Sequence, residues 1–260
     1  MKKTGIKIYG FADNNFDSEF FRKNNMGVEV YTNPKNLESF NKDRPNIPEI
    51  EKIIKGISGI SMHGTHYEMT YASNDPWIVD VVKRRFIQCL QAASFYGINH
   101  LVFHSSYKSF YGIKGTHLQK WYINSSIDFW REFEKGGNIP DGITILLENA
   151  EDNDPEVLAE IIHGINSPKI CCCFDIGHAY AYSSIHLNEW IRVLGNKIKH
   201  VHLSDNDGKD DLHLPLGKGK LPVLDTIHNI LEHTEKDIPF VLECDMPLSL
   251  DWLRNNNLLD

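Results

Sequence analysis

Nine side chains able to bind a cation or move a proton stand at or just past the ends of short apolar runs. His63 closes "GISMH", His104 closes "HLVFH", Glu148 closes "TILLE" and Asp175 closes "ICCCFD"; His202 ends "KHVH", and Glu243 closes "PFVLE". His178 stands one turn beyond Asp175, and Asp211 and His213 follow His202 after a further stretch of loop. A lone histidine at a strand end is ordinarily a hydrogen-bonded rim residue. Six such groups meeting in one cavity would be costly to desolvate, and their carboxylates would repel one another. A divalent cation relieves both costs. Mixed imidazole and carboxylate donors suit Zn²⁺, Mn²⁺, Co²⁺ or Fe²⁺ better than Ca²⁺.

For these groups to meet, separate segments must carry them to one rim. Eight β-rich runs recur along the 260 residues, at 6–11, 27–32, 59–64, 100–105, 144–149, 170–175, 199–204 and 239–244. Helical patterns separate them. Residues 74–97 open with Asn-Asp-Pro and end at Gly97, residues 154–165 open with Asp-Pro, and 125–137 and 223–236 carry apolar residues at helical spacing. Strand and helix alternating eight times predict a single-domain (β/α)8 TIM barrel over residues 1–260, with a doubly wound open sheet as the alternative. The longest irregular stretches, 33–48, 106–118 and 204–222, follow strands 2, 4 and 7 and belong on the catalytic rim.

Alternation within a strand supplies a further expectation. Met62, Phe103, Leu147, Phe174, Leu203 and Leu242 take the parity facing the helices. His63, His104, Glu148, Asp175, His202 and Glu243 take the inward one, at the C-terminal strand ends where active sites of this fold lie. The same rule reads the cysteine triplet of "KICCCFDIGHAYAY": Cys172 faces helices, and Cys171 and Cys173 fill the barrel as small hydrophobes. His200 lies a layer below His202 as a core residue, His100 lies at the stability face, and His66 is a candidate to line the pocket.

Composition removes several classes. The five cysteines show neither a disulfide framework nor a zinc-finger spacing. No apolar run is long enough to span a membrane, and the N-terminus lacks a secretory pattern, so the expected location is cytoplasmic. The net charge of −8 argues against a broad nucleic-acid-binding surface. In "HVHLSDNDGKDDLHLPLGKGKLP", Gly208, Gly217 and Gly219 allow a tight loop over the mouth. Its aspartates read either as solvated or, for Asp211 and His213, as ligands. Lys218 and Lys220 are most simply solvated, with a substrate phosphate as the alternative partner.

Taken together, "LVFHSSY", "ILLENAED", "CFDIGHAYAY", "HVHLSDNDGKDDLHLPLGKG" and "VLECD" resemble the xylose-isomerase-like barrel superfamily. That superfamily includes sugar and sugar-phosphate isomerases and epimerases, and endonuclease IV. The epimerase branch implies that Glu148, Asp175, His202 and Glu243 bind one divalent metal, with His178 on a substrate oxygen. The endonuclease branch implies up to three ions, held by His63, His104 and Glu148; by Glu148, Asp175, His202 and Glu243; and by His178, Asp211 and His213. Against that branch, the residues after His63 lack an evident DNA-penetrating pair and no basic face is clustered.

The expected function is therefore a metal-dependent sugar or sugar-phosphate isomerase or epimerase working through an enediolate. Glu148 and Glu243 exchange the proton, and His178 contacts the substrate. A multi-zinc phosphodiesterase is the alternative, and a metal-binding barrel without turnover a third. Tyr107, Tyr111 and Tyr182 are candidates either to pack against the sugar or to pack within the protein.

Overall fold

The computed structural model describes residues 6–12, 16–38, 47–108, 111 and 114–259. Eight parallel strands close into a barrel in sequential order: β1 (Lys7–Phe11), β2 (Gly27–Tyr31), β3 (Ile60–His63), β4 (His100–His104), β5 (Thr144–Glu148), β6 (Ile170–Asp175), β7 (Ile198–Leu203) and β8 (Pro239–Leu242). The barrel expectation holds, and the open sheet falls away because β1 pairs with β8.

Ten α-helices accompany the strands among the described residues: α1 (Ser18–Lys23), α2 (Pro34–Glu38), α3 (Pro48–Ile54), α4 (Pro76–Phe95), α5 (His117–Lys135), α6 (Pro155–Ile165), α7 (Ile176–Tyr182), α8 (Leu187–Leu194), α9 (Val223–His233) and α10 (Met246–Asn255). The Asp-Pro signals work as read. Asp75 and Asp154 accept the backbone N–H two residues on, and the following prolines open α4 and α6 at no hydrogen-bond cost. Two boundaries differ from expectation. Helix α5 starts at His117 rather than 125, because Thr116 Oγ1 caps it by accepting from the N–H of Gln119 at 3.2 Å. The stretch 33–48 contains α2 and the start of α3; its residues 39–46 lie outside the described part, as do 109–110 and 112–113 of the stretch 106–118.

Two apolar layers follow from strand parity. The outer one joins Met62, Phe103, Leu147, Cys172, Phe174, Leu203 and Leu242 to the helices, with Phe86 stacked on Phe103 at 3.9 Å and on Trp130 at 5.5 Å. The inner one is a small plug of Val102, Leu146, Cys171 and Cys173 within the barrel. The cysteine triplet thus divides between layers as the alternation predicts. All five thiols are free, and burial pushes those of Cys172 and Cys173 well above the usual range. No helix among the described residues is long and apolar enough to cross a membrane.

Candidate active site at the barrel mouth

Register lines up the polar strand ends. His104 lies beside Glu148, Asp175 beside His202, and the N–H of Glu243 donates to the carbonyl of Leu203. At the centre stands Glu148, almost wholly buried, with an imidazole on every side. Its Oε2 is 3.1 Å from His63 Nε2 and 3.3 Å from His104 Nε2; its Oε1 is 3.2 Å from His202 Nδ1 and 3.3 Å from His178 Nδ1. His202 Nδ1 also faces Glu243 Oε1 at 3.2 Å and Asp175 Oδ2 at 3.8 Å. On the outer side Asp211 Oδ2 lies 3.3 Å from His178 Nε2 and 3.0 Å from His213 Nε2. The nine residues singled out by sequence therefore form one contiguous cluster. Seven line a cavity of about 1160 Å³, with Asp175 and His202 buried beneath it.

Protonation preferences follow from this crowding. Burial alone would raise the Glu148 carboxyl, but His202, His104 and His178 outweigh it and hold it well below the usual carboxylate range. For Glu243 burial wins, aided by the negative charges of Glu148 and Asp175, and its carboxyl is pushed up. Asp175 is raised by burial in the same way. Burial disfavours a charged ring at His178 and His202, yet the carboxylates around them push both imidazoles well above their ordinary value. His104 goes the other way, its burial lowering it. His213 is raised to about 9, chiefly by its hydrogen bond to Asp211.

The donor set fits a divalent cation. Glu148, Asp175 and His202 offer ligand atoms within 4.8 Å of one another, as do His178, Asp211 and His213, and His63, His66 and His104. Asp175 Oδ2 and Asp211 Oδ1 are buried without hydrogen-bond partners, a cost that a bound cation would remove. Carboxylate and neutral imidazole donors of this kind hold zinc or manganese.

Several residues bearing on the site were not legible as such. Glu29, fully buried on β2, accepts from Ser61 Oγ at 2.6 Å and faces His200 Nε2 at 2.8 Å; its other oxygen lies 2.9 Å from His202 Nε2. It shares the inward parity of its strand, and that was the signal available. Asn149 clamps Asp175 with two hydrogen bonds of 2.8 and 2.9 Å, and its carbonyl meets His178 Nδ1 at 2.9 Å. Asp205 is not solvated. It is fully buried and accepts from the N–H groups of Asn206, Gly217, Gly219 and Leu221, which folds the loop that delivers Asp211 and His213. That loop needs its glycines: at Gly219 a Cβ would come within 2.3 Å of the carbonyl of Asn206, and Gly217 has φ +76°.

The remaining candidates divide. His66 lines the cavity, stacked on His104 at 4.4 Å, and burial lowers it to about 4. Tyr182 lines the cavity half-exposed, and Tyr107 lines it while buried, its hydroxyl donating to Asn153 Oδ1, whereas Tyr111 is buried in packing against Tyr122. Lys218 and Lys220 are exposed and do not line the cavity, so they do not serve a substrate phosphate there. His200 is the hydrogen-bonded core residue expected.

A closed barrel whose catalytic rim carries this donor set defines a class, and sequence comparison agrees with it. The family model of the xylose isomerase-like TIM barrel matches residues 26–256, and the chain belongs to that family. A fructoselysine 3-epimerase of Escherichia coli O157:H7 is 25% identical over 113 residues, 37% of this chain and 41% of that protein. An uncharacterized protein of Methanocaldococcus jannaschii is 37% identical over 98 residues, 35% of this chain and 33% of its own. The matched stretches thus span well under half the length of these curated relatives. The fold extends over nearly the whole chain in a D-tagatose 3-epimerase-like protein, with a TM-score of 0.74, 20% identity, 96% of this chain and 97% of that one. The same holds for a Thermus thermophilus protein soaked with ZnCl2, with a TM-score of 0.70, 23% identity and 97% of each chain.

Proposed function

We propose that the protein is a divalent-metal-dependent sugar epimerase or isomerase that moves a proton at the carbon next to a carbonyl. The observation that carries this reading is the pair Glu148 and Glu243, two carboxylates from opposite sides of the barrel mouth that both face His202 Nδ1 at 3.2 Å. Two carboxylates converging on one reacting centre are what an acid–base exchange requires. Glu148, Asp175, His202 and Glu243 would hold the cation, which would supply polarisation of the substrate carbonyl. Ionised Glu148 takes the proton from the neighbouring carbon. Glu243 delivers a proton from the other face, which inverts the centre or shifts the carbonyl. His178, oriented by its Nδ1 on the Asn149 carbonyl, turns Nε2 from Asp211 to donate to the substrate oxygen that gains charge. The family's epimerase members, the fructoselysine 3-epimerase among them, support the reading.

Incubation of the metal-loaded protein with a panel of ketoses in D₂O tests it. Deuterium should enter one carbon-bound position, and Glu243→Gln should lower that rate by about 10³ or more while leaving the fold intact. Undiminished exchange in the variant would remove Glu243 from the chemistry.

A phosphodiesterase reading draws on one observation, the two further donor groups around His63 and His104 and around Asp211 and His213. Metal analysis separates the two readings. About one tightly held ion per chain accompanies epimerisation, and three ions with cleavage of an abasic-site oligonucleotide would replace it.

A further inference from the structure

Glu148 divides the mouth of the barrel. Its Oε1 faces His178 and His202, on the side where His202 also meets Glu243. Its Oε2 faces His63 and His104, at the ends of β3 and β4. Carbons reacting between Glu148 and Glu243 lie on the Oε1 side. A sugar seated there has only part of its chain at the two acids. The rest can run to the Oε2 side, where Phe11, His63, His66, Tyr67 and His104 line the cavity.

His66 stands apart from the other histidines of this cavity. His63 and His104 each lie within 3.3 Å of Glu148 Oε2, and His178 and His213 are paired with Asp211. Among the described residues His66 has no carboxylate at ion-pair distance and no hydrogen bond to a side chain from either ring nitrogen. Its Nδ1 is buried without a partner, whereas Nε2 is not enclosed. The ring is nevertheless held in place. It stacks on His104 at 4.4 Å, with the rings of Tyr67 and Tyr31 at 4.1 and 5.3 Å. The turn that carries it is fixed as well: its carbonyl accepts from the N–H of Met69 at 3.2 Å. Gly64, where a Cβ would come within 2.2 Å of Phe103, lets the chain leave β3 close over the core. A polar ring fixed in a cavity wall with no side-chain partner calls for one from outside. An imidazole free of carboxylates offers one donor and one acceptor, as a sugar hydroxyl does. The aromatic face beside it suits a carbon chain.

We propose that His66 is a specificity-determining residue: its Nε2 hydrogen-bonds a ketose hydroxyl beyond the reacting carbons, on C4, C5 or C6, while the sugar chain lies along Tyr67. This rests on the epimerase reading for where the reacting carbons sit.

The test uses the full chain loaded with Zn²⁺. Calorimetry ranks D-fructose, D-tagatose, D-allulose and D-sorbose. The tightest of them is then compared with its own 4-, 5- and 6-deoxy forms, on the unaltered protein and on His66→Phe, which keeps a ring in the stack. On the unaltered protein one deoxy form should bind about tenfold more weakly than its parent. In His66→Phe the parent should weaken by about as much, and the gap between it and that deoxy form should close. Each gap is read within one protein, so a general loss of stability does not mimic its closing. An unchanged gap in the variant, no gap for any deoxy form, or failure of all four ketoses to bind overturns the proposal. So does a second Zn²⁺ that disappears with the substitution, which would make His66 a metal ligand instead. Deuterium entry from D₂O tells this failure from that of the epimerase reading. Exchange with an unchanged gap removes the His66 contact and leaves the reading in place. A gap that closes in His66→Phe, with no exchange in any sugar, keeps the contact and removes the reading.

Discussion

Glu29 of β2 and His202 of β7, far apart in the chain, meet at the floor of the site, with Glu29 Oε1 2.9 Å from His202 Nε2. Nε2 faces that carboxylate at ion-pair distance without an aligned hydrogen bond, and Nδ1 of the same ring faces Glu148 and Glu243, each at 3.2 Å. A buried carboxylate this close to an imidazole acts on the ring through its charge and makes it a better ligand.

Glu29→Gln should therefore weaken Mn²⁺ or Zn²⁺ binding by about 10- to 100-fold while the protein stays folded. Calorimetric titration of the metal measures this, with circular dichroism as the control for folding. Unchanged affinity would reduce Glu29 to a packing role with His200 and Ser61.

Cation binding should release protons. His63, His178 and His202 are held protonated above their ordinary pH range by the carboxylates around them. A cation must displace those protons to reach the ring nitrogens. Affinity should then rise with pH through and above neutrality, and fall as acid restores the imidazolium forms. Titrations in buffers of different ionisation enthalpy count the protons released, and a pH-independent affinity would contradict the arrangement.

Asp152 sets a second pH dependence, in stability. It is fully buried behind the site, its Oδ2 taking a hydrogen bond from Ser105 Oγ at 2.5 Å while Oδ1 has no partner, and burial raises it to about 7. Unfolded, it titrates near 3.8. An acid whose folded value is raised favours the native state while protonated, so its contribution is complete below about pH 4 and is lost as pH rises through 7. Asp152→Asn should remove this loss, gaining on the order of 2–4 kcal/mol at pH 8 relative to pH 4. Urea unfolding at the two pH values gives the difference, and parallel curves for the two proteins would refute it.

The cysteine triplet should be inert in the native protein. Cys172 and Cys173 are fully buried and Cys171 nearly so, and burial raises their thiols. A thiol reagent should label Cys171, Cys172 and Cys173 only after denaturation. Cys172→Ser should cost about 1–3 kcal/mol by placing a hydroxyl among apolar side chains. Rapid native labelling would reopen a redox or metal role for the triplet.

Sequence by itself determined the barrel and the inward set. A strand's alternation is a local property of the backbone, so the facing of His63, His104, Glu148, Asp175, His202 and Glu243 could be read without knowing any partner. The Asp-Pro starts of α4 and α6 are local for the same reason. Tertiary structure alone decided how these faces meet. Strand stagger in the closed barrel brings Glu29 of β2 under His202 of β7, and no property of either segment encodes that pairing. The loop carboxylates were likewise illegible by type. Asp205 and Asp211 share one acidic stretch, but Asp205 meets backbone N–H groups up to sixteen residues away and builds the loop, while Asp211 meets imidazoles in the cavity. A carboxylate's task depends on which donors the folded chain places around it, and those donors come from elsewhere in the chain.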